Sequence, residues 1–196
     1  MSMKLSRLFT TASCKGTCGY LNSQKKYEII RTLIYFAISL CLFAAGWITT
    51  GEKLNLLTVV AILGCLPASK SAVQMIMFLR YKSLSDKVCN VLSEYDASLP
   101  VLYDLVFTSY EKNYSIGHMA VRGLTIIGYS ENTNFPEKEF QDHITQILKN
   151  EHIKGASVKI FTDLNKYQSR LNQITQLEPD DALSAQICDV FISVSL

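Results

Sequence analysis

Nineteen consecutive residues, Thr32 to Thr50, carry no charged side chain, and after Gly51, Glu52 and Lys53 a second apolar run begins at Leu54. A hydrocarbon layer about 30 Å thick needs roughly 20 apolar residues at about 1.5 Å rise each, so the first run predicts a membrane-spanning helix. The second run extends to Leu79 but is interrupted by Pro67 and Lys70, which leaves sixteen uncharged residues from Leu54 to Ser69. A connection of three residues turns the second helix straight back. The expectation is therefore a two-helix hairpin over residues 32–79, preceded by a polar, basic segment 1–31 and followed by a globular part, 80–196.

Orientation follows from the basic residues, because Lys and Arg near the ends of a span resist translocation. Lys4, Arg7, Lys15, Lys25, Lys26 and Arg31 precede the first run, and Arg80, Lys82 and Lys87 follow the second, whereas the turn holds only Lys53 beside Glu52. Both termini are expected in the cytosol, in the plasma (inner) membrane of a bacterium. A cleaved signal has a short basic segment before its apolar stretch, and here thirty-one residues come first. Residues 1–79 hold eight Lys and Arg against two acidic residues, a net of +6, and residues 80–196 hold eleven against fifteen, a net of −4. Lys25, Lys26, Arg31, Arg80 and Lys82 are thus expected against anionic lipid headgroups, each worth about 1 kcal/mol at such a surface. Anchoring accounts for this charge without nucleic acid.

Lys70 admits two readings. The bilayer ends near Ser69 and the ammonium reaches the headgroups, or Lys70 faces another subunit of an assembly and pairs there.

Beyond Ser83 the pattern becomes globular. Val88, Val91, Leu92 and Tyr95 share the spacing of one helical face. Val101–Thr108, Tyr114–Val121 and Leu124–Tyr129 are rich in β-branched and aromatic residues and read as three antiparallel strands. A helix from Glu137 to about His152 presents Phe140, Ile144, Ile147 and Leu148 on one side. Ser157–Phe161 reads as a fourth strand, and Asp163 as the cap of a helix carrying Tyr167, Leu171 and Ile174. Leu183, Ile187, Val190, Phe191 and Val194 favour a last helix over a strand. The fold class expected is a membrane hairpin plus a small cytosolic α+β domain, with a mainly antiparallel sheet of about four strands.

Six cysteines are present. Cys14 and Cys18 stand four apart with no His nearby, which does not make a four-ligand metal site. They are read as free thiols, with Cys41 and Cys65 in the spans and Cys89 and Cys188 on helices of a reduced compartment. No cofactor or metal is expected.

Phosphate loops, dinucleotide fingerprints, HExxH and nucleophile elbows are all lacking. The order helix, three strands, helix, strand over Ser85–Phe161 resembles in layout the core of restriction-endonuclease-like nucleases. That resemblance implies a metal-binding Asp on the second strand and a Glu-x-Lys on the third, where carboxylates ligate the metal and Lys supports the attacking water. Asp104 and Glu131 are the carboxylates nearest to those roles, but Glu131 is followed by Asn132 and Thr133, with no Lys in place. The net of −4 also disfavours a phosphate backbone.

The function expected is accordingly a non-enzymatic membrane tether, holding an interaction or assembly domain against the bilayer for a protein partner or a second copy. The sheet edge with Tyr103, Tyr110 and Tyr114, or the acidic helix with Glu137, Glu139, Asp142 and Glu151, supplies contact. The alternatives are a membrane-tethered hydrolase or degenerate nuclease working through Asp104 and Glu131, and a subunit of a larger pore or transporter in which Lys70 faces protein.

Overall fold

A computed structural model describes residues 15–51, 56–110 and 112–196. The readings of Lys4, Arg7, Cys14, Glu52, Lys53 and Glu111 lie outside the described residues. The described residues divide into two compact units, one containing residues 21–51 and 56–82 and the other residues 15–20 together with 83–110 and 112–196.

The first unit is a pair of long helices, α1 (Tyr20–Thr50) and α2 (Leu56–Arg80), both long and apolar enough to cross a membrane. α1 begins twelve residues before the uncharged run, because nothing between Tyr20 and Arg31 is a helix breaker. Pro67 lies inside α2. The helices are antiparallel, and the seam can be read pair by pair. Thr32 Oγ1 and Ser71 Oγ are hydrogen-bonded at 2.9 Å, Arg31 donates to Gln74 at 2.7 Å, and a Cβ on Gly64 would come within 2.8 Å of Ser39 Oγ. The buried positions of α1 are Gln24, Glu28, Thr32, Ser39 and Gly46, along with Tyr20, Leu21 and Tyr27; those of α2 are Thr58, Ala61, Ala68, Ser71 and Phe78. Small and polar residues thus fill much of the seam. The large apolar side chains, among them Leu33, Phe36, Leu40, Ile62, Leu63 and Leu66, stand outward and exposed.

The second unit is a three-layer sandwich. Its sheet has the order β1 (Val101–Thr108), β2 (Asn113–Arg122), β3 (Thr125–Tyr129), β4 (Ser157–Phe161). β1–β2 and β2–β3 are antiparallel, but β3–β4 is parallel, with Thr125 opposite Ser157 and Tyr129 opposite Phe161. The sheet is mixed, which corrects the mainly antiparallel sheet expected from the sequence. The reason is the connection: α4 (Glu137–Asn150) lies between β3 and β4, and a helical crossover returns the chain in the same direction.

α4 and α6 (Asp181–Val194) cover one face, where Phe140, Ile144, Leu148, Ile187 and Phe191 meet Leu105, Phe107, Ile116 and Ile126. α3 (Asp86–Leu92) and α5 (Leu164–Thr175) cover the other, where Leu84, Cys89, Leu92, Tyr167 and Leu171 meet Tyr103, Ala120 and Ile127. Asp163 caps α5, accepting from the amides of Asn165 and Lys166, and Asp180 caps α6 through the amide of Leu183. The last segment is helical, as its periodicity predicts. Its final residues then leave the helix and touch β1, where the Leu196 amide donates to the Val106 carbonyl at 2.8 Å.

The cysteines depart from the free-thiol expectation. Cys18 and Cys89, seventy-one residues apart, form a disulfide with a Cα–Cα distance of 6.4 Å. The N-terminal flank folds onto the outer edge of β1, where the Tyr103 amide donates to the Gly16 carbonyl at 2.9 Å, and this carries Cys18 to α3. Cys41, Cys65 and Cys188 are free.

Candidate functional site

Asp104 and Glu131 are brought to the same short stretch of chain, the segment Ser83–Ser85 that enters α3. Asp104 accepts from the Ser83 hydroxyl and, at 2.8 Å, from the Leu84 amide, and Glu131 accepts from the Ser85 amide at 3.3 Å. Asp104 is 2% exposed and Glu131 is exposed.

The backbone explains why an aspartate stands at 104. Its φ is +53°, a left-handed conformation inside a strand. Asp and Asn tolerate that region better than other residues with a Cβ. The consequence is a break in the alternation of β1: Leu102 and Leu105 face α4 and α6, while Tyr103 and Asp104 both face the α3 side. β2 makes the matching shift. Ile116 and Met119 face α4 and α6, while Gly117 and His118 turn toward Leu84 and Tyr103. A Cβ at Gly117 would come 2.6 Å from Leu84 Cδ1, so glycine lets the Leu84 side chain sit close against β2. The carboxylate that the layout resemblance offers as a metal ligand thus ties β1 to the segment entering α3. Neither β2 nor β3 carries an Asp or Glu, so the nuclease-like layout lacks its carboxylates on those strands. Among the described residues no group of three or more His, Cys, Asp or Glu could hold a metal ion.

Behind this tie lies a polar array that the sequence does not announce. His118 is fully buried, its Nδ1 is 2.6 Å from Tyr167 Oη, and its Nε2 has no partner among the described residues. Burial pushes the imidazole down to about 3, so it is neutral. Tyr103 packs edge-on against His118 and donates its hydroxyl to Asp96 at 2.5 Å. Burial first, and then the hydrogen bond and charge of Asp96, raise Tyr103 above the usual phenol range. Burial also raises Tyr167 and lowers Lys15, whose ammonium donates to the Ser195 carbonyl at 2.9 Å. Nothing in local spacing marks these pairs, since the partners come from different elements.

Tyr103 and Tyr114 are buried, the latter against Phe135 and Phe140, and only Tyr110 at the hairpin tip projects into solvent. The outer edge of β1 is itself partly occupied by Gly16 at one end and by Ser195 and Leu196 at the other. In the hairpin, Lys26, Arg80 and Lys82 are exposed and Lys25 is half-buried, but Arg31 turns inward. It pairs with Glu28, which is 2% exposed and also accepts from Gln24 at 3.1 Å. Arg31 therefore neutralises a buried carboxylate. Lys70 is exposed, one residue before the Ser71 that pairs with Thr32. It stands level with the start of the uncharged run of α1.

Comparisons with protein-family models, curated proteins and solved structures found no match for the chain.

Proposed function

We propose that the chain is an integral membrane protein whose hairpin spans the bilayer twice, with both flanks on the cytosolic side, and whose mixed-sheet domain is an interaction or assembly module held at that surface. The observation that carries this reading is the polarity of the hairpin. A helix pair built for water buries its large apolar side chains, whereas this one buries Gln24, Glu28, Thr32, Ser39, Thr58 and Ser71 and turns Leu33, Phe36, Leu63 and Leu66 outward. Membrane helices associate through close packing and interhelical hydrogen bonds, which small and polar residues supply. The level of Lys70 favours the headgroup role over a pairing partner inside the membrane. The plasma membrane and the cytosolic side rest on the basic flanks.

The domain works by placement. Confinement to a surface raises the effective concentration of its exposed features toward a partner on the same membrane. Tyr110 and the outward acidic residues of α4, Glu137, Glu139 and Asp142, are the features offered. A protein partner or a second copy fits this reading, and engagement of Asp104 by Ser83 and Leu84 weighs against a hydrolytic role.

Alkaline carbonate extraction combined with external protease on intact cells tests both parts. The chain should stay in the membrane pellet, and its domain should be cut only after the membrane is opened. Release into the supernatant would refute the spanning hairpin, and cleavage in intact cells would reverse the orientation.

A further inference from the structure

The Cys18–Cys89 bond and the cytosolic placement proposed above stand in tension, because the cytosol keeps thiols reduced and disulfides there are usually transient or redox-sensing. We propose that Cys18 and Cys89 form a reversible thiol–disulfide site, opened by a dithiol reductant, and that its state decides whether the N-terminal flank is locked to the edge of β1. The proposal rests on the orientation given above. On the opposite side of the membrane the same bond would be a permanent staple.

The two sulfurs differ in access. Cys18 is exposed, whereas Cys89 is 6% exposed and packs with Leu84, Leu92 and Leu99. A groove of about 350 Å3 runs beside the bond, lined in part by Cys18, Cys89, Ser93, Asp96, Leu99 and Tyr103. It gives an incoming thiol a seat next to Cys18 Sγ. Attack there by the first reductant thiolate breaks the Cys18–Cys89 bond, forms a mixed disulfide on Cys18, and expels Cys89 as a thiolate that takes up a proton. The second reductant thiol then displaces Cys18, so the reductant leaves oxidised and the protein has gained two electrons and two protons. Reclosure is the reverse exchange with an oxidised dithiol or a small disulfide.

What the bond secures is a specific seat. Gly16 has φ +80°, and a Cβ there would lie 2.8 Å from Leu102 Cδ2, so only glycine accepts the Tyr103 amide at this point. Lys15 adds its bond to Ser195. These contacts guide the flank back after each opening, but once the disulfide is reduced they alone hold it. The Tyr103 amide on the strand edge then becomes open to exchange with solvent or a partner.

The test uses the full chain in its membrane. Cells are challenged with diamide or dithiothreitol and quenched in acid, and free and oxidised cysteines are alkylated with mass-distinct reagents and read by peptide mass spectrometry. Cys18 and Cys89 should change together, oxidised by diamide and reduced by dithiothreitol, while the buried Cys188 stays free. Trypsin cleavage after Lys15 should be several-fold faster in reduced protein. Cys18→Ser should show the fast rate in both conditions. A pair that stays reduced under diamide, a pair that stays oxidised in dithiothreitol, or a Lys15 cleavage rate indifferent to redox state would each overturn the proposal. External protease separates the causes: a permanently oxidised pair on a domain cut in intact cells means the orientation has failed, and an unresponsive pair on a protected domain means that only the switch has.

Discussion

The hairpin and the sandwich bury opposite kinds of residue. In the sandwich Phe107, Phe140, Ile144 and Phe191 are fully buried, whereas in the hairpin Thr32, Ser39 and Ser71 occupy the seam and Leu33, Leu63 and Leu66 face outward. The same chain therefore follows two packing rules. One is set by the removal of apolar surface from water, and the other, under the membrane reading proposed above, by close approach and hydrogen bonding in apolar surroundings. A charge or a cavity should have different consequences in the two regions.

The largest effect is expected in the sandwich. Phe140→Ala removes a ring that touches Phe107, Tyr114 and Phe135, and should cost about 3–5 kcal/mol, read by urea unfolding of the domain signal in detergent. Nearly as large is Leu63→Asp on the outward face of α2, a change that an exposed site of the sandwich would tolerate. Under the membrane reading it should disfavour insertion by about 3 kcal/mol, measured as the glycosylated fraction in a translocon assay, and an unchanged fraction would break the comparison.

Asp104→Ala puts a less tolerant residue at the left-handed position and strands the Ser83 hydroxyl and Leu84 amide, the lost partners alone costing about 1–3 kcal/mol. Asp104→Asn retains an acceptor and a tolerant backbone and should lose less, so equal losses would refute the tie. For His118, whose imidazole is depressed from 6.5 to about 3, the unfolded chain binds a proton that the folded one refuses between those values. Stability should be insensitive to this group above its ordinary value and fall by up to about 1.4 kcal/mol per pH unit below it. The His118→Phe variant should lack that slope in chemical unfolding between pH 6.5 and 5. The smallest effect belongs to the exposed Lys112–Glu139 pair, 2.7 Å apart, whose removal by Lys112→Ala should shift stability by less than about 1 kcal/mol.

Much of the fold was legible before any tertiary contact. Val101–Thr108 and Ser157–Phe161 are strands over the spans their composition predicts, and the stripe Phe140, Ile144, Leu148 lies inward on α4. The candidate site was less legible. The layout resemblance singled out Asp104 and Glu131, which do meet on one segment, but as ties to Ser83, Leu84 and Ser85. Tyr103 and Tyr114 looked like an exposed edge, yet the break in pleat at Asp104 and the packing of Phe135 and Phe140 bury them.

By itself the sequence determined the two long apolar helices, the number and order of the elements that follow them, and the inward stripes of α4 and α5. These depend on periodicity over a few neighbours and on the charge-free length of a segment, both local quantities. Only the tertiary structure decided that β4 runs parallel to β3, that Arg31 reaches Gln74, that Asp104 takes a left-handed conformation, and that Cys18 meets Cys89. Each of these joins residues far apart in the chain or sets a conformation that such a partner stabilises, and no local pattern encodes which distant segment will arrive.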